Sequence, residues 1–171
     1  MDLRLEVSKI ENLKKIKAIY EDGRQALKKM NIDQWQDGYP KEPLIIEDIK
    51  KAISYSVFYQ NDLVATVVFF IGIEEDYNKI DDGRWISNSS IYGVIHRIAV
   101  KEGFKGKNVA SFIISKAVEM AKKEQVKSIR IDTHEDNIPM QKMLKKNNFI
   151  HCGLIHLKDG SPRWAFEKLL D

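Results

Sequence analysis

The sequence predicts a mixed α/β (α+β) fold, seven strands and four helices in the order βααββ–βαβαββ, arranged as a mixed sheet with helices on both faces. Three observations carry this. Segments with apolar residues at every second position interleave with segments at helical spacing. Two tight turns, Asn61-Asp62 and Lys158-Asp159-Gly160-Ser161, each separate two strand-like runs. The 171 residues suit one domain, 1–171, with no linker or repeat. A chain of that size buries about 70% of its unfolded surface without needing disulfides.

The elements follow in order. Residues 3–7 alternate and read as a strand. Ser8-Lys9-Ile10-Glu11 has the pattern of a capping box, and Ile10, Leu13, Ile16 and Ile19 recur at helical spacing behind it. Gly23 weakens that helix, and Ala26, Leu27 and Met30 carry it on. Residues 31–43 hold Trp35, Gly38, Tyr39, Pro40 and Pro43 and read as an aromatic-rich loop, followed by a helix with Ile45, Ile49 and Ile53. Val57 to Tyr59 and Leu63 to Ile73 form a hairpin, and the acidic stretch 74–90 is a loop. Tyr92 to Val100 is a strand, and Asn108 to Lys123 a helix with Val109, Phe112, Ile113, Ala117 and Met120 inward. Ser128 to Thr133 is a further strand. Asn137 caps the next helix, with Pro139 in its first turn and Met140, Met143 and Leu144 buried. That helix stops at Asn147-Asn148, since asparagine tolerates the left-handed conformation such a stop needs. Ile150 to Leu157 and Arg163 to Lys168 close the chain as a hairpin.

Composition narrows the function. Lys plus Arg is 28 against 25 acids, so the net charge of +3 is too balanced to mark a nucleic-acid binder. Lys116, Lys122, Lys123 and Lys127 scatter around their helix instead of forming one stripe. The longest apolar run, Leu63 to Ile71 broken by Thr66, is less than half of the roughly 20 residues needed to span a bilayer. The N-terminus lacks the apolar core of a signal peptide. A cytoplasmic protein with neither nucleic-acid nor membrane partners is expected, as monomer or homodimer. Cys152 is the only cysteine and sits in an apolar strand with no activating neighbour, so covalent catalysis is not expected. His151 and His156 lack carboxylate or thiolate ligands at metal spacing, and no metal is expected.

The strongest local signal runs from Ile91 to Ala110. A buried strand leads into Lys101-Glu102-Gly103-Phe104-Lys105-Gly106-Lys107, which opens a long helix. Backbone N–H groups, the positive end of the helix dipole, and Lys105 and Lys107 together make an anion site. Neither Gly-x-x-x-x-Gly-Lys-Ser/Thr nor Gly-x-Gly-x-x-Gly is present, which argues against ATP and NAD.

These residues resemble the GNAT family of N-acetyltransferases. Its coenzyme motif, Arg/Gln-x-x-Gly-x-Gly/Ala after a strand, is similar to Lys105-Gly106-Lys107-Asn108-Val109-Ala110 after Ile95 to Val100. A second motif is similar to Asp132-Thr133-His134-Glu135-Asp136-Asn137-Ile138-Pro139-Met140 with Leu144 and Asn147-Asn148-Phe149. Ile32 to Pro40 resembles a bacterial subgroup whose acceptors are mostly unassigned. The resemblance covers nearly the whole chain. It implies a mostly antiparallel seven-stranded sheet whose central parallel strand pair is splayed to hold acetyl-CoA. It also implies an N-acetyltransferase passing the acetyl group of acetyl-CoA, a cosubstrate, to a primary amine by direct attack. The alternative is a non-catalytic acyl-CoA-binding module on the same fold. The pyrophosphate would lie over the N–H groups of Lys105, Gly106, Lys107, Asn108, Val109, Ala110 and Ser111. The pantetheine arm would pair with Ile98, Ala99 and Val100, and Asn137 and Met140 would lie at its other side. Lys105 keeps the charge of the usual Arg, Asn108 replaces a glycine, and Leu144 replaces a tyrosine that protonates the leaving thiolate.

An alkylamine of pKa about 10 must lose a proton before attack. His96, at an offset that resembles arylalkylamine N-acetyltransferases, and His134, just after the neighbouring strand, are the candidate bases. A thiol of pKa about 8.5 leaves tolerably without the tyrosine. The acceptor, a small-molecule amine or peptide amine, would meet Trp35, Tyr39 and Trp85, drawn in by Glu74, Glu75, Asp76, Asp81 and Asp82.

Overall fold

Strands begin and end here where turn chemistry allows. The computed structural model describes every residue from Met1 to Asp171. β1 (Leu3–Val7), β2 (Ser54–Tyr59), β3 (Asp62–Gly72), β4 (Tyr92–Val100), β5 (Ser128–Thr133), β6 (Ile150–His156) and β7 (Pro162–Leu169) form one sheet in the order β1-β2-β3-β4-β5-β7-β6. β2 and β3 join through a turn in which Gln60 takes a φ of 53°, and β6 and β7 through one with Gly160 at 86°. Those short links make the pairs antiparallel; β4 and β5, joined through a helix, are parallel. The helices are α1 (Leu13–Lys29), α2 (Glu42–Lys50), α3 (Val109–Lys123) and α4 (Ile138–Lys146). Together they make the mixed α/β architecture and the mostly antiparallel seven-stranded sheet that the sequence predicted.

The chain forms two compact units, Met1–Phe69 with Arg97–Lys116, and Phe70–His96 with Ala117–Asp171. In the first, Ile16, Ile19 and Tyr20 of α1 bury against Ile45, Leu63 and Ala99, with Leu13, Trp35, Ile49 and Phe58 packed around them. A Cβ on Gly23 would stand 3.1 Å from the Trp35 ring, so the glycine that weakens α1 is what admits the indole.

Three local readings change. Ser8 does not cap a helix: its hydroxyl bonds Ser56 Oγ at 2.8 Å and accepts from Ser54 at 2.9 Å, because the first strand delivers it into that buried serine group. A 3₁₀ turn, Ile10–Asn12, precedes α1 instead. Ile53 lies beyond α2, which closes when Lys51 N–H bonds Glu47 O and Ala52 turns left-handed at φ 55°. In α3 the fully buried positions are Val109, Ile113, Ile114, Ala117 and Ala121; Phe112 and Met120 are half-buried.

In the second unit Tyr77, Tyr92, Val94, Ile155 and Ala165 form the core, with Phe70, Ile80, Trp85 and Leu157 packed on it. Asn137 Oδ1 accepts from Met140 N–H at 3.2 Å, the predicted cap, and Asn148 takes the left-handed φ of 65° after α4. Leu144 and Gln141 are the buried residues of α4, whereas Met140 and Met143 are half-buried. Asp81 and Leu154 exchange two backbone bonds of 2.8 Å, so residues of the 74–90 loop pair with β6.

Candidate active site

The first unit carries the basic loop. Lys101 N–H bonds Val64 O at 2.8 Å, and Glu102 N–H bonds the Asp22 carboxylate at 2.9 Å, fixing where the loop departs. Gly103, Gly106 and Asn108 take left-handed φ values of 91°, 74° and 63°. Open space surrounds both glycines where a side chain would stand. Gly106 and Asn108, both left-handed, flank Lys107, the kind of alternation from which main-chain anion-binding turns are built. Asn108 holds the turn with a side chain that tolerates the conformation, and its carbonyl accepts Phe112 N–H at 3.0 Å to start α3. Lys105 pairs with Glu102 at 3.1 Å, and Lys107 lies over the Phe104 ring at 5.2 Å.

In β4, Ala99 points into the core while Ile98 and Val100 are half-buried. Arg97 takes a left-handed φ of 50° inside the strand, a conformation that residues other than glycine rarely adopt. Its guanidinium grips Asp48 of α2 through Nε (3.0 Å) and Nη2 (2.9 Å), and Nη1 donates to Tyr39 Oη at 2.8 Å. Trp35 packs edge-on to Tyr20 at 5.8 Å and beside Tyr39 at 6.3 Å. The structure thus brings Trp35 and Tyr39 together and ties the loop they share to Arg97.

The second unit carries both candidate bases, His96 and His134. His96 Nε2 lies 2.7 Å from Glu74 Oε2, with the two side chains 19% and 21% exposed. Phe70 and Tyr77 pack against the imidazole at 6.0 and 6.1 Å. Tyr77 Oη donates to Asp132 at 2.6 Å; complete burial, then Asp132, push that phenol well above its ordinary pKa. Partial burial, Glu74 and Asp132 raise the Asp76 carboxyl. The parallel ladder joins Gly93 to Ile129 and Val94 to Arg130, then stops, although β4 runs on through Ile95 and His96 and β5 to Thr133.

His134 differs. Its Nδ1 accepts Asp136 N–H at 3.0 Å, and its carbonyl accepts Asn137 N–H at 3.0 Å, so it organises the turn into α4 beside Asn137 and Met140. Trp85 donates its indole N–H to Tyr77 O at 2.9 Å, packs on Tyr77 at 5.2 Å, and borders a cavity of about 430 Å³ with Arg84, Ile86 and Asn88. Beneath it Arg130 stacks between Trp85 (4.3 Å) and Tyr92 (4.0 Å) and pairs with Glu167 at 3.1 Å. Cys152, already set aside as a nucleophile, is held by burial up to about 11.

The model of the acetyltransferase (GNAT) family matches residues 19–149. This chain belongs to the GNAT acetyltransferase family. A GNAT acetyltransferase from Streptococcus agalactiae 2603 is 30% identical with a TM-score of 0.91, covering 99% of this chain and 96% of that one. One from Listeria monocytogenes 4b F2365 is 20% identical, TM-score 0.74, over 98% and 95%. PaiA N-acetyltransferase from Thermoplasma acidophilum, solved in complex with coenzyme A, is 15% identical, TM-score 0.71, over 99% of both chains. No curated protein matches the sequence. In this GNAT chain, sequence reasoning did not single out Arg97, Asp48, Tyr77, Asp132, Arg130 or Glu167. Their partners lie 37 to 58 positions away, so no local spacing announces them. The strands that carry Arg130 and Glu167 hold other polar residues too, Ser128, Asp132, Arg163 and Lys168, so neither charge stands out in the sequence.

Proposed function

We propose that this acetyltransferase carries the acetyl group of acetyl-CoA to a primary amine, of a small molecule or a peptide, by direct attack. The observation that carries the coenzyme half is the left-handed Gly106 and Asn108 at the head of α3, in a chain of this family. The coenzyme A bound to PaiA N-acetyltransferase supports the same ligand here. Backbone N–H groups from Lys105 to Ser111 hold the pyrophosphate, with Lys105 and Lys107 adding charge. Ile98, Ala99 and Val100 offer backbone to the pantetheine arm, and the left-handed turn of the strand at Arg97 supports an N–H near Ile98 as the oxyanion donor. Asn137 and Met140 act at the end of β5.

His96 is the general base of this reading. Its imidazole is half-sheltered and paired with a carboxylate, whereas the Nδ1 lone pair of His134 is already spent on Asp136 N–H. Trp35, Tyr39 and Trp85 are the aromatic contacts of the acceptor. A second reading, a non-catalytic acyl-CoA-binding module, draws on Leu144, which is wholly buried where the family's usual acid would stand.

Calorimetric titration with acetyl-CoA, with ATP and NAD as controls, tests the coenzyme half. Acetyl-CoA alone should bind, and Lys105→Glu with Lys107→Glu should weaken it by a few kcal/mol at most, about tenfold or more. Unchanged affinity in the double variant overturns the loop assignment. Release of coenzyme A in the presence of amines separates the enzyme from the binding module.

A further inference from the structure

His96 has two ring nitrogens, and only one is engaged. Nε2 faces Glu74 Oε2 at 2.7 Å, and that carboxylate is the hydrogen-bond partner the structure gives the ring. A carboxylate accepts and does not donate, so the neutral imidazole must carry its proton on Nε2 and keep its lone pair on Nδ1. Glu74 is itself held in place from several sides. It caps a 3₁₀ turn, its Oε1 accepting Asp76 N–H at 3.4 Å. Its own N–H donates to Tyr92 Oη at 3.1 Å, from the strand that carries His96. Phe70 and Tyr77 close on the ring from the sides. A residue tied to the backbone of its own turn and to a tyrosine of β4 is built to hold one geometry.

We propose that Glu74 is a positioning residue that locks His96 as the Nε2–H tautomer, so that Nδ1 is the atom that takes the proton of the acceptor amine. This rests on His96 being the base. In the step so described, Nδ1 takes a proton from the amine nitrogen as that nitrogen forms its bond to the acetyl carbonyl carbon. The C–S bond breaks with its electron pair on sulfur, and the imidazolium returns its proton to the thiolate. During the interval the ring is cationic, and Glu74, with Asp76 and Asp132 in the same neighbourhood, stabilises that charge.

The test is the nitrogen spectrum of the full-length ¹⁵N-labelled protein at a pH where the ring is neutral, with His96→Ala assigning the signals. Wild type should show His96 with Nδ1 unprotonated and Nε2 protonated. Glu74→Gln, whose amide both donates and accepts, should give a mixture of tautomers, and Glu74→Asp should restore the single tautomer at least in part. An Nδ1–H tautomer in wild type, or an unchanged spectrum in Glu74→Gln, overturns the proposal. These readings need no acceptor.

Turnover of acetyl-CoA with spermidine or a peptide bearing a free N-terminus adds the kinetic arm. Glu74→Gln should lower kcat about tenfold or more with KM for acetyl-CoA unchanged, and His96→Ala about a hundredfold. Full turnover in His96→Ala removes the base and with it the role of Glu74. Loss in His96→Ala with undiminished turnover in Glu74→Gln leaves His96 standing and removes the positioning role alone.

Discussion

Each unit holds an arginine gripping a buried carboxylate, and each grip secures an aromatic loop, but by different means. In the second unit Arg130 and Glu167 face each other across β5 and β7, 6% and 0% exposed. Glu167 reaches past the ion pair to accept the backbone N–H groups of Ile86 and Ser87 at 2.6 and 3.1 Å, and the Ser87 hydroxyl at 2.5 Å. Arg130 Nη2 donates to Ser87 O at 3.0 Å. The loop carrying Trp85 is thus held by its main chain. In the first unit Arg97 spends two nitrogens on Asp48 and reaches the 31–41 loop through one phenol, Tyr39 Oη. A main-chain grip survives changes of loop sequence, whereas a side-chain grip is lost with one oxygen.

The deepest pair should break hardest. Glu167→Ala leaves Arg130 buried without its carboxylate and frees three loop donors at once, so unfolding in urea should show a loss of about 3–5 kcal/mol. Burial pushes the Glu167 carboxyl up, but hydrogen bonds from Ser87 and Ser128 and the charge of Arg130 outweigh it, and the group lies below its ordinary value of 4.5. A depressed folded value means the stabilisation is complete above the unfolded value and is lost as pH falls through the folded one. The gap in stability separating wild type from Glu167→Gln should therefore be flat above about pH 5 and shrink below 4.5. A gap that grew on acidification would reverse the assignment.

Asp48→Ala should come next, at about 3 kcal/mol, because Arg97 is 11% exposed and can turn partly to water. Here activity sharpens the contrast. Arg97 holds the left-handed conformation within β4, and releasing it should disturb turnover more than the same loss of stability at Glu167 does. Equal effects on turnover at equal stability would mean that this backbone conformation does not depend on its ion pair.

The same contrast explains what the sequence could reveal. The strands, the closing hairpin turn, the Asn137 cap and the left-handed stop at Asn148 are set by neighbours in the chain and were legible; the first hairpin turn lies at Gln60-Asn61, one residue before the Asn61-Asp62 expected, because Asp62 already pairs with Tyr59. So was the basic loop at α3, because its chemistry is backbone conformation and exposed lysines. The capping box at Ser8 failed because the hydroxyl found serines at positions 54 and 56, beyond the reach of a local pattern. The site's polar pairs were hidden for that reason too. His96 was visible as a residue type, but its partner Glu74 comes from a loop 22 positions back, where it read as one of five acids drawing in the acceptor. Gly23 read as a weak point in a helix until Trp35 supplied the reason for it.

The smallest effect should come from Tyr39→Phe. The substitution keeps the ring against Trp35 and removes the hydroxyl that accepts from Arg97, a hydrogen bond to a charged group. Asp48 still holds the guanidinium, so the stability cost should be about 1 kcal/mol, well under that of Asp48→Ala. The loop also keeps Arg24, which donates to the carbonyls of Gly38 and Tyr39 at 3.4 and 3.1 Å. Its loosening should therefore be local, seen as faster amide exchange over residues 35–39 with unchanged exchange in β4. If Trp35 and Tyr39 contact the acceptor, KM for the amine rises while acetyl-CoA affinity stays constant. If exchange over the loop is unchanged, the phenol is not what holds it, and the difference in grip drawn here disappears.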